Sequence, residues 1–227
     1  MAAPWVLRDT LSALRALHLR WETRRGYQVS DAPAFAPEVV EWFRTALPAV
    51  SGYVEYGSGA STILAARAGV RTISVESDPR YAAAVRAALP ESAPVTVLDA
   101  AIGWTEIWGY PVCTRRTPRR RASWLQYALG PLALAAQEKW TPQLVLVDGR
   151  FRFACALAAA RAIRRAGTSA EILFDDYAGR PYYAKVEDYL GRPRLMANAA
   201  LFTVSADATG LRPVTDAAIA EASADYR

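Results

Sequence analysis

From residue 51 onward, short apolar runs rich in Val and Ile alternate with Ala-rich stretches of helical spacing. No other feature constrains the chain as much, because repeated strand-helix units close into a parallel sheet covered by helices. The pattern predicts strands over 52–56, 72–76, 95–99, 144–148 and 171–175, with helices over 61–68, 79–89, 124–137 and 151–166. Every strand but the first ends on an acidic residue, namely Glu76, Asp99, Asp148 and Asp175, and Glu55 stands one residue before the end of the first. Ligands of open parallel sheets bind just beyond those carboxyl ends, so a site is expected there.

The flanks differ. Leu7, Leu11, Leu14, Leu17 and Trp21 recur at helical spacing, and Pro37 opens a second helical pattern carrying Val39, Val40, Trp42, Phe43 and Leu47. A helix around 182–190, two paired strands over 194–197 and 201–205, and a tail with a short Ala-rich helix complete the chain. The expected organisation is an N-terminal helical cap over 1–50, an α/β domain over 51–206 and a C-terminal tail over 207–227. Its sheet is doubly wound, mostly parallel and seven-stranded.

Charge narrows the partners. The 27 basic and 22 acidic residues leave +5, and Arg115, Arg116, Arg119, Arg120 and Arg121 account for all of it. The segment 113–123 offers little to bury and is expected to be a mobile loop reaching over the rim toward an anionic substrate. A nucleic-acid channel would interleave aromatics with the basic residues, and only Trp124 borders the cluster, so nucleic acid is disfavoured. Cys113 and Cys155 are too few for a disulfide scaffold or a cysteine-based zinc site. Charged residues interrupt every apolar run, so no membrane span is expected and the cytoplasm is the expected compartment. The oligomeric state stays open, a homodimer included.

The segment Tyr53-Val54-Glu55-Tyr56-Gly57-Ser58-Gly59-Ala60-Ser61-Thr62 follows a strand and opens a helix. Its glycines let the backbone bend and approach a ligand, and the helix N-terminus offers free N–H groups. Glu76, 19 residues after Gly57, ends the next strand, where a carboxylate can accept from both hydroxyls of a ribose. A dinucleotide fingerprint wants glycine where this chain has Thr62, which counts against an NAD-binding Rossmann oxidoreductase. Glu55 would repel a pyrophosphate and welcome the ammonium of an amino-acid moiety, and S-adenosylmethionine carries such an ammonium.

On these residues the chain resembles the class I S-adenosylmethionine-dependent methyltransferases, whose fold is Rossmann-like. Their first motif, an acidic residue followed by x-G-x-G, is matched by Glu55, Gly57 and Gly59, and their second, an acidic strand end, by Glu76. The resemblance covers about residues 51–206 and implies that Glu55, Gly57, Ser58, Gly59, Glu76, Ser77, Asp99 and Ala100 bind the cofactor, Asp99 beside the adenine. A non-catalytic cofactor-binding or RNA-binding module is the remaining alternative.

On the substrate side the layout is similar to the metal-dependent O-methyltransferases of the catechol type. That resemblance implies Asp148, Asp175 and Asp176 as ligands of Mg2+ or another divalent cation. The family's lysine, three residues after the first of these, is absent, since Phe151 stands there. Asp148 is then left as base, or as a cofactor-orienting residue, without metal. The Asn/Asp-Pro-Pro-Tyr/Phe motif typical of amino-group methyltransferases is also absent, which favours O-methylation of a small molecule. An anionic acceptor would be met by Arg150, Arg152 and Tyr177. Trp104, Trp108 and Tyr110 are candidates for an aromatic wall. His18, the only histidine, is expected to be surface or packing.

Overall fold

The leucine stripe near the start forms α1 (Pro4–Glu22), yet its apolar edge faces outward. Ser12 and Ala16 are buried, while Leu7, Leu11, Leu14, Leu17 and Trp21 are exposed. The computed structural model describes residues 4–226. Met1 to Ala3 and Arg227, at the ends of the expected N-terminal segment and tail, lie outside the described residues.

Proline at the first helical position starts several helices, where its missing N–H costs nothing and its fixed φ is already helical. Among them are α2 (Pro37–Ala46), α4 (Pro79–Ala88) and α5 (Pro118–Gln137). Before α4, the Asp78 carboxylate accepts from the N–H groups of Arg80 and Tyr81, and before α5 the Thr117 hydroxyl accepts from that of Arg120. The expected loop over 113–123 is corrected by this cap. Arg119, Arg120 and Arg121 stand in the first turn of α5, because a Thr-Pro pair nucleates the helix and arginine is a good helix former.

The remaining elements follow the alternation: β1 (Gly52–Tyr56), α3 (Ala60–Arg67), β2 (Arg71–Glu76), β3 (Val95–Asp99), β4 (Leu144–Val147), α6 (Arg152–Arg165) and β5 (Ala170–Phe174). Next come α7 (Glu187–Leu190), the hairpin β6 (Arg194–Met196) and β7 (Ala199–Val204), and α8 (Asp216–Ala222). The seven strands form one sheet in the order β3-β2-β1-β4-β5-β7-β6. The first five are parallel, and β7 runs antiparallel to both of its neighbours.

Central strands are apolar on both faces, as a sheet covered on both sides requires. On one face Val54, Tyr56, Val145, Val147, Ile172 and Phe174 pack against α5 and α6. On the other, Tyr53, Leu144, Leu146 and Leu173 meet Val39 and Phe43 of α2 and Ala65 of α3. The buried alanines of α6, from Ala154 to Ala160, let that helix lie close to the sheet. Phe174 is fully buried, and truncating such a residue to Ala costs roughly 3–5 kcal/mol. The strand order reverses between β1 and β4, and the acidic strand ends gather beside that switch point. Among the described residues no helix is long and apolar enough to cross a membrane.

Candidate active site

The turn after β1 is held by two glycines, one of them unforeseen. Gly57 has φ +93°, and a Cβ on it would come 2.9 Å from the Gly149 nitrogen. Gly149, just beyond β4, has no room for a Cβ either, because the Tyr127 hydroxyl lies against it. The Asp-Gly pair at 148–149 was the available signal for this second glycine. The two backbones therefore touch where the cofactor turn meets the acceptor side.

Glu55 lies beneath that turn, fully buried. It accepts from Tyr53 Oη at 3.1 Å, from Ser74 Oγ at 2.7 Å, and from the hydroxyls of Ser61 and Thr62. Burial pushes its pKa up, against these hydroxyl donors, which favour the charged form. The Ser58 and Ser74 hydroxyls are 2.6 Å apart, and Gly59 N donates to Thr62 Oγ1 at 2.9 Å. Glu55 thus shapes the turn from below, and the expected direct contact with an ammonium is corrected, because both carboxylate oxygens already have two hydroxyl donors each.

Glu76 differs. Its Oε1 accepts from Ser77 N at 2.6 Å, Ser77 Oγ at 3.0 Å and Asp78 N at 2.9 Å. Its Oε2 has no partner among the described residues. The residue borders a cavity of about 250 Å³ roofed by Leu19 of α1, Tyr27, Ile107 and Trp108, with Tyr81 alongside. Asp78 and Glu106 also border it, and such a space, with apolar and aromatic walls beside carboxylates, suits a nucleoside. Gly109 (φ +69°) lies so close over Ser77 Oγ that a Cβ would collide with it, so Ser77 supports both Glu76 and the roof. Asp99 and Ala100 fall outside the lining of this cavity. Asp99 pairs with Arg86 at 2.7 Å on an exposed edge, and Ala100 N donates to the Glu76 carbonyl at 2.8 Å. In this structure the Asp99 carboxylate is thus engaged by Arg86 at the edge of the sheet.

A second cavity, of about 300 Å³, opens beside the first and shares Trp108 with it. Asp148, Asp175, Asp176, Arg150, Arg152 and Arg180 line it. Arg152 is nearly enclosed and occupies the centre. Its Nε donates to the Gly149 carbonyl at 3.0 Å and its Nη1 to the Asp175 carbonyl at 2.6 Å. Its Nη2 donates to Asp148 Oδ1 at 2.9 Å, and Asp176 Oδ2 lies 3.7 Å from Nη1. Asp176 also takes Arg180 at 2.7 Å and Asn198 Nδ2 at 3.1 Å.

The expectation of a divalent cation on Asp148, Asp175 and Asp176 is corrected by this arrangement. A guanidinium lies among the three carboxylates, and among the described residues no group of three His, Cys, Asp or Glu side chains is placed to hold a metal ion. Phe151, at the position of the absent lysine, is buried against Trp124 and Tyr127. Tyr177 is also corrected as a substrate residue. Its hydroxyl donates to Glu187 at 2.8 Å and its ring packs on Phe174 and Phe202.

In the acceptor cavity two carboxyls are pushed up. Burial, reinforced by Asp176, pushes Asp148 up to about 6 against the pull of Arg152 and Arg150. Burial together with Asp148 and Asp176 pushes Asp175 up to about 7, and its Oδ1 is buried without a partner. Groups poised near neutrality can exchange protons with a substrate.

Other features lie apart. Arg116 and Arg121 border a separate depression with Lys185 and Arg212, so the arginine cluster does not reach over the acceptor cavity as expected. His18 is exposed and pairs with Glu22 at 3.2 Å. Of the expected aromatic wall, Trp108 and Tyr110 line the acceptor cavity, while Trp104 is exposed beneath Arg20. A depression of about 550 Å³ between α5 and α6 contains no carboxylate and lies at the opposite ends of the strands.

No protein-family model matches the sequence, and no curated protein does. Solved structures do. A methyltransferase-like protein from Silicibacter pomeroyi is 31% identical, with 87% of this chain and 100% of that one covered and a TM-score of 0.71. An O-methyltransferase from Bacillus cereus, in complex with S-adenosylhomocysteine, shares the fold at 15% identity, with 84% of this chain and 88% of that one covered and a TM-score of 0.50. With the glycine turn, the unpartnered Glu76 oxygen and the 3-2-1-4-5-7-6 sheet in place, the first of these likenesses settles the family: the chain belongs to the class I S-adenosylmethionine-dependent methyltransferases.

Proposed function

We propose that the chain transfers the methyl group of S-adenosylmethionine to an oxygen of a small molecule, without help from a divalent cation. The observation that carries this reading is the pair of cavities meeting at Trp108, one containing Glu76 and the other Asp148 and Asp175. When bound, S-adenosylmethionine supplies an electrophilic methyl group on a sulfonium.

The residues divide the work. Glu76 Oε2 accepts from the ribose hydroxyls, and the glycine turn with the first N–H groups of α3 receives the amino-acid end. Asp148 is the base. The acceptor hydroxyl gives its proton to Asp148 Oδ2 while Arg152 holds Oδ1 and fixes the carboxylate. Trp108, in a left-handed backbone conformation, stands exposed at the junction of the two cavities. Placement of the acceptor supplies most of the rate, since holding two reactants in line removes the entropy of bringing them together.

Calorimetry with S-adenosylhomocysteine, followed by transfer of a labelled methyl group to a panel of small hydroxylated molecules, tests the reading. Saturable binding and label in an alkali-stable ether are expected. Absence of binding by the intact protein overturns the reading, and binding of NADH in its place would restore the oxidoreductase.

A further inference from the structure

Three guanidinium groups line the acceptor cavity, and two have anions of their own. Arg152 is committed to Asp148 and to backbone carbonyls, and Arg180 to Asp176. Arg150 is 5% exposed, makes no side-chain hydrogen bond or ion pair with any described residue, and has a buried Nε without a partner. Its guanidinium lies 4.1 Å from the centre of the Tyr110 ring, and Asp148 acts on it only from beyond ion-pair distance. A ring face offsets part of the cost of enclosing a charge, but an enclosed cation without a counter-ion is otherwise strongly unfavourable. The lining matches three guanidiniums with three carboxylates, so what is lacking is an anion within hydrogen-bonding reach of Arg150 itself.

We infer that Arg150 is the anion-recognition residue of the acceptor site, and that the acceptor is a small carboxylic acid bearing a separate hydroxyl for methylation. This rests on the methyltransferase reading above. Arg150 lines the cavity of Asp148 and Asp175, not that of Glu76, which places the missing anion on the acceptor side of Trp108. One uncommitted guanidinium balances one charge, and a dianion such as a phosphate would face the neighbouring carboxylates with an excess of negative charge. A volume of about 300 Å³ between Trp108 and Tyr110 suits a molecule of about one ring. The planar fork of arginine matches a carboxylate in two parallel bonds.

Benzoate and benzamide have nearly the same shape and differ in charge, which makes them suitable probes. Their affinities are to be measured by ligand-observed NMR on protein saturated with S-adenosylhomocysteine. Benzoate is expected to bind the wild type roughly tenfold more tightly than benzamide. Arg150→Gln is expected to abolish the preference while leaving S-adenosylhomocysteine affinity within about twofold. Arg150→Lys, which keeps the charge but loses the fork, retains part of it and serves as the variant if the glutamine form does not fold. Equal affinities in the wild type, failure of benzoate to bind, or a preference that survives Arg150→Gln each overturn the inference. So does a loss in Arg150→Gln that falls on S-adenosylhomocysteine, because that assigns the arginine to the cofactor's own carboxylate. Failure of the wild type to bind S-adenosylhomocysteine is a different result, and it defeats the methyltransferase reading itself.

Discussion

The Thr62 hydroxyl donates to the Glu55 carboxylate and accepts the Gly59 N–H at 2.9 Å, so one side chain ties the floor of the cofactor turn to its rim. This explains a departure visible in the sequence. Where a dinucleotide motif has its third glycine, this chain needs a hydroxyl, because Glu55 is buried and must have its oxygens satisfied.

Replacing Thr62 by Val removes both bonds at nearly constant shape. The Gly59 N–H loses its acceptor and Glu55 one of four donors, which costs roughly 1–3 kcal/mol. Urea unfolding is expected to show that loss, and Thr62→Ser to recover most of it. An unchanged midpoint in the valine variant would mean that the network contributes no stability.

Glu76→Gln keeps a carbonyl to accept from Ser77 and Asp78, so the internal bonds survive. What changes is the oxygen left for the ligand, from an anionic acceptor to an amide. Because hydrogen bonds to an ionised acceptor are about twice as strong as neutral ones, S-adenosylhomocysteine affinity is expected to fall roughly tenfold in calorimetry. The melting temperature should stay close to that of the wild type. Equal affinities would remove Glu76 from the ribose contact.

Arg152 supplies the positive charge that a metal ion would otherwise bring to Asp148 and Asp176. Turnover and melting temperature are therefore expected to be the same in EDTA and in added magnesium. Arg152→Ala should destabilise the protein by roughly 1–3 kcal/mol, because the carbonyls of Gly149 and Asp175 lose their donor while Asp148 and Asp176 are partly solvated. A wild-type rate that depends on magnesium contradicts the role assigned to Arg152.

The four inner parallel strands, β1, β2, β4 and β5, were legible because both of their faces are covered, so their apolar runs needed no tertiary information to stand out, while the edge strand β3 showed itself by its alternating valines. Glu76 was legible for a related reason, as an acid at a strand end after a glycine turn. The state of the carboxylates was not. Whether Asp148 meets a metal or a guanidinium depends on Arg152 folding back four residues from the start of α6, and whether Glu55 faces a ligand depends on hydroxyls from Tyr53, Ser61, Thr62 and Ser74 converging on it. The start of α5 was missed because the scarcity of apolar side chains outweighed the Thr117-Pro118 cap. The outward face of α1 was hidden because helical spacing shows where a stripe is, not which way it turns.

Asp148→Asn should lower turnover by about 10²- to 10⁴-fold, the range for loss of a general base, with acceptor binding retained. In the wild type the rate is expected to rise with pH through about 6 as Asp148 loses its proton. A flat profile from pH 5 to 8 (the range that brackets this value) would exclude Asp148 as base and leave transfer to an acceptor that is already ionised.

Asp175 links the site to stability. Its carboxyl moves from an ordinary value of 3.8 to about 7 in the folded protein, so between those values the folded state holds a proton that the unfolded chain has released. Stability from this group is therefore lost as pH rises through that window. Asn at 175 cannot ionise, and it removes the penalty of a buried carboxylate facing Asp148 and Asp176. At pH 8 (above the raised value) Asp175→Asn is expected to stabilise by on the order of 1 kcal/mol, or roughly 2–4 °C for a chain of this length. The gain should vanish below about pH 3, where the carboxyl is protonated in both states. A variant equally stabilised at both pH values would show that the effect comes from packing and not from the charge.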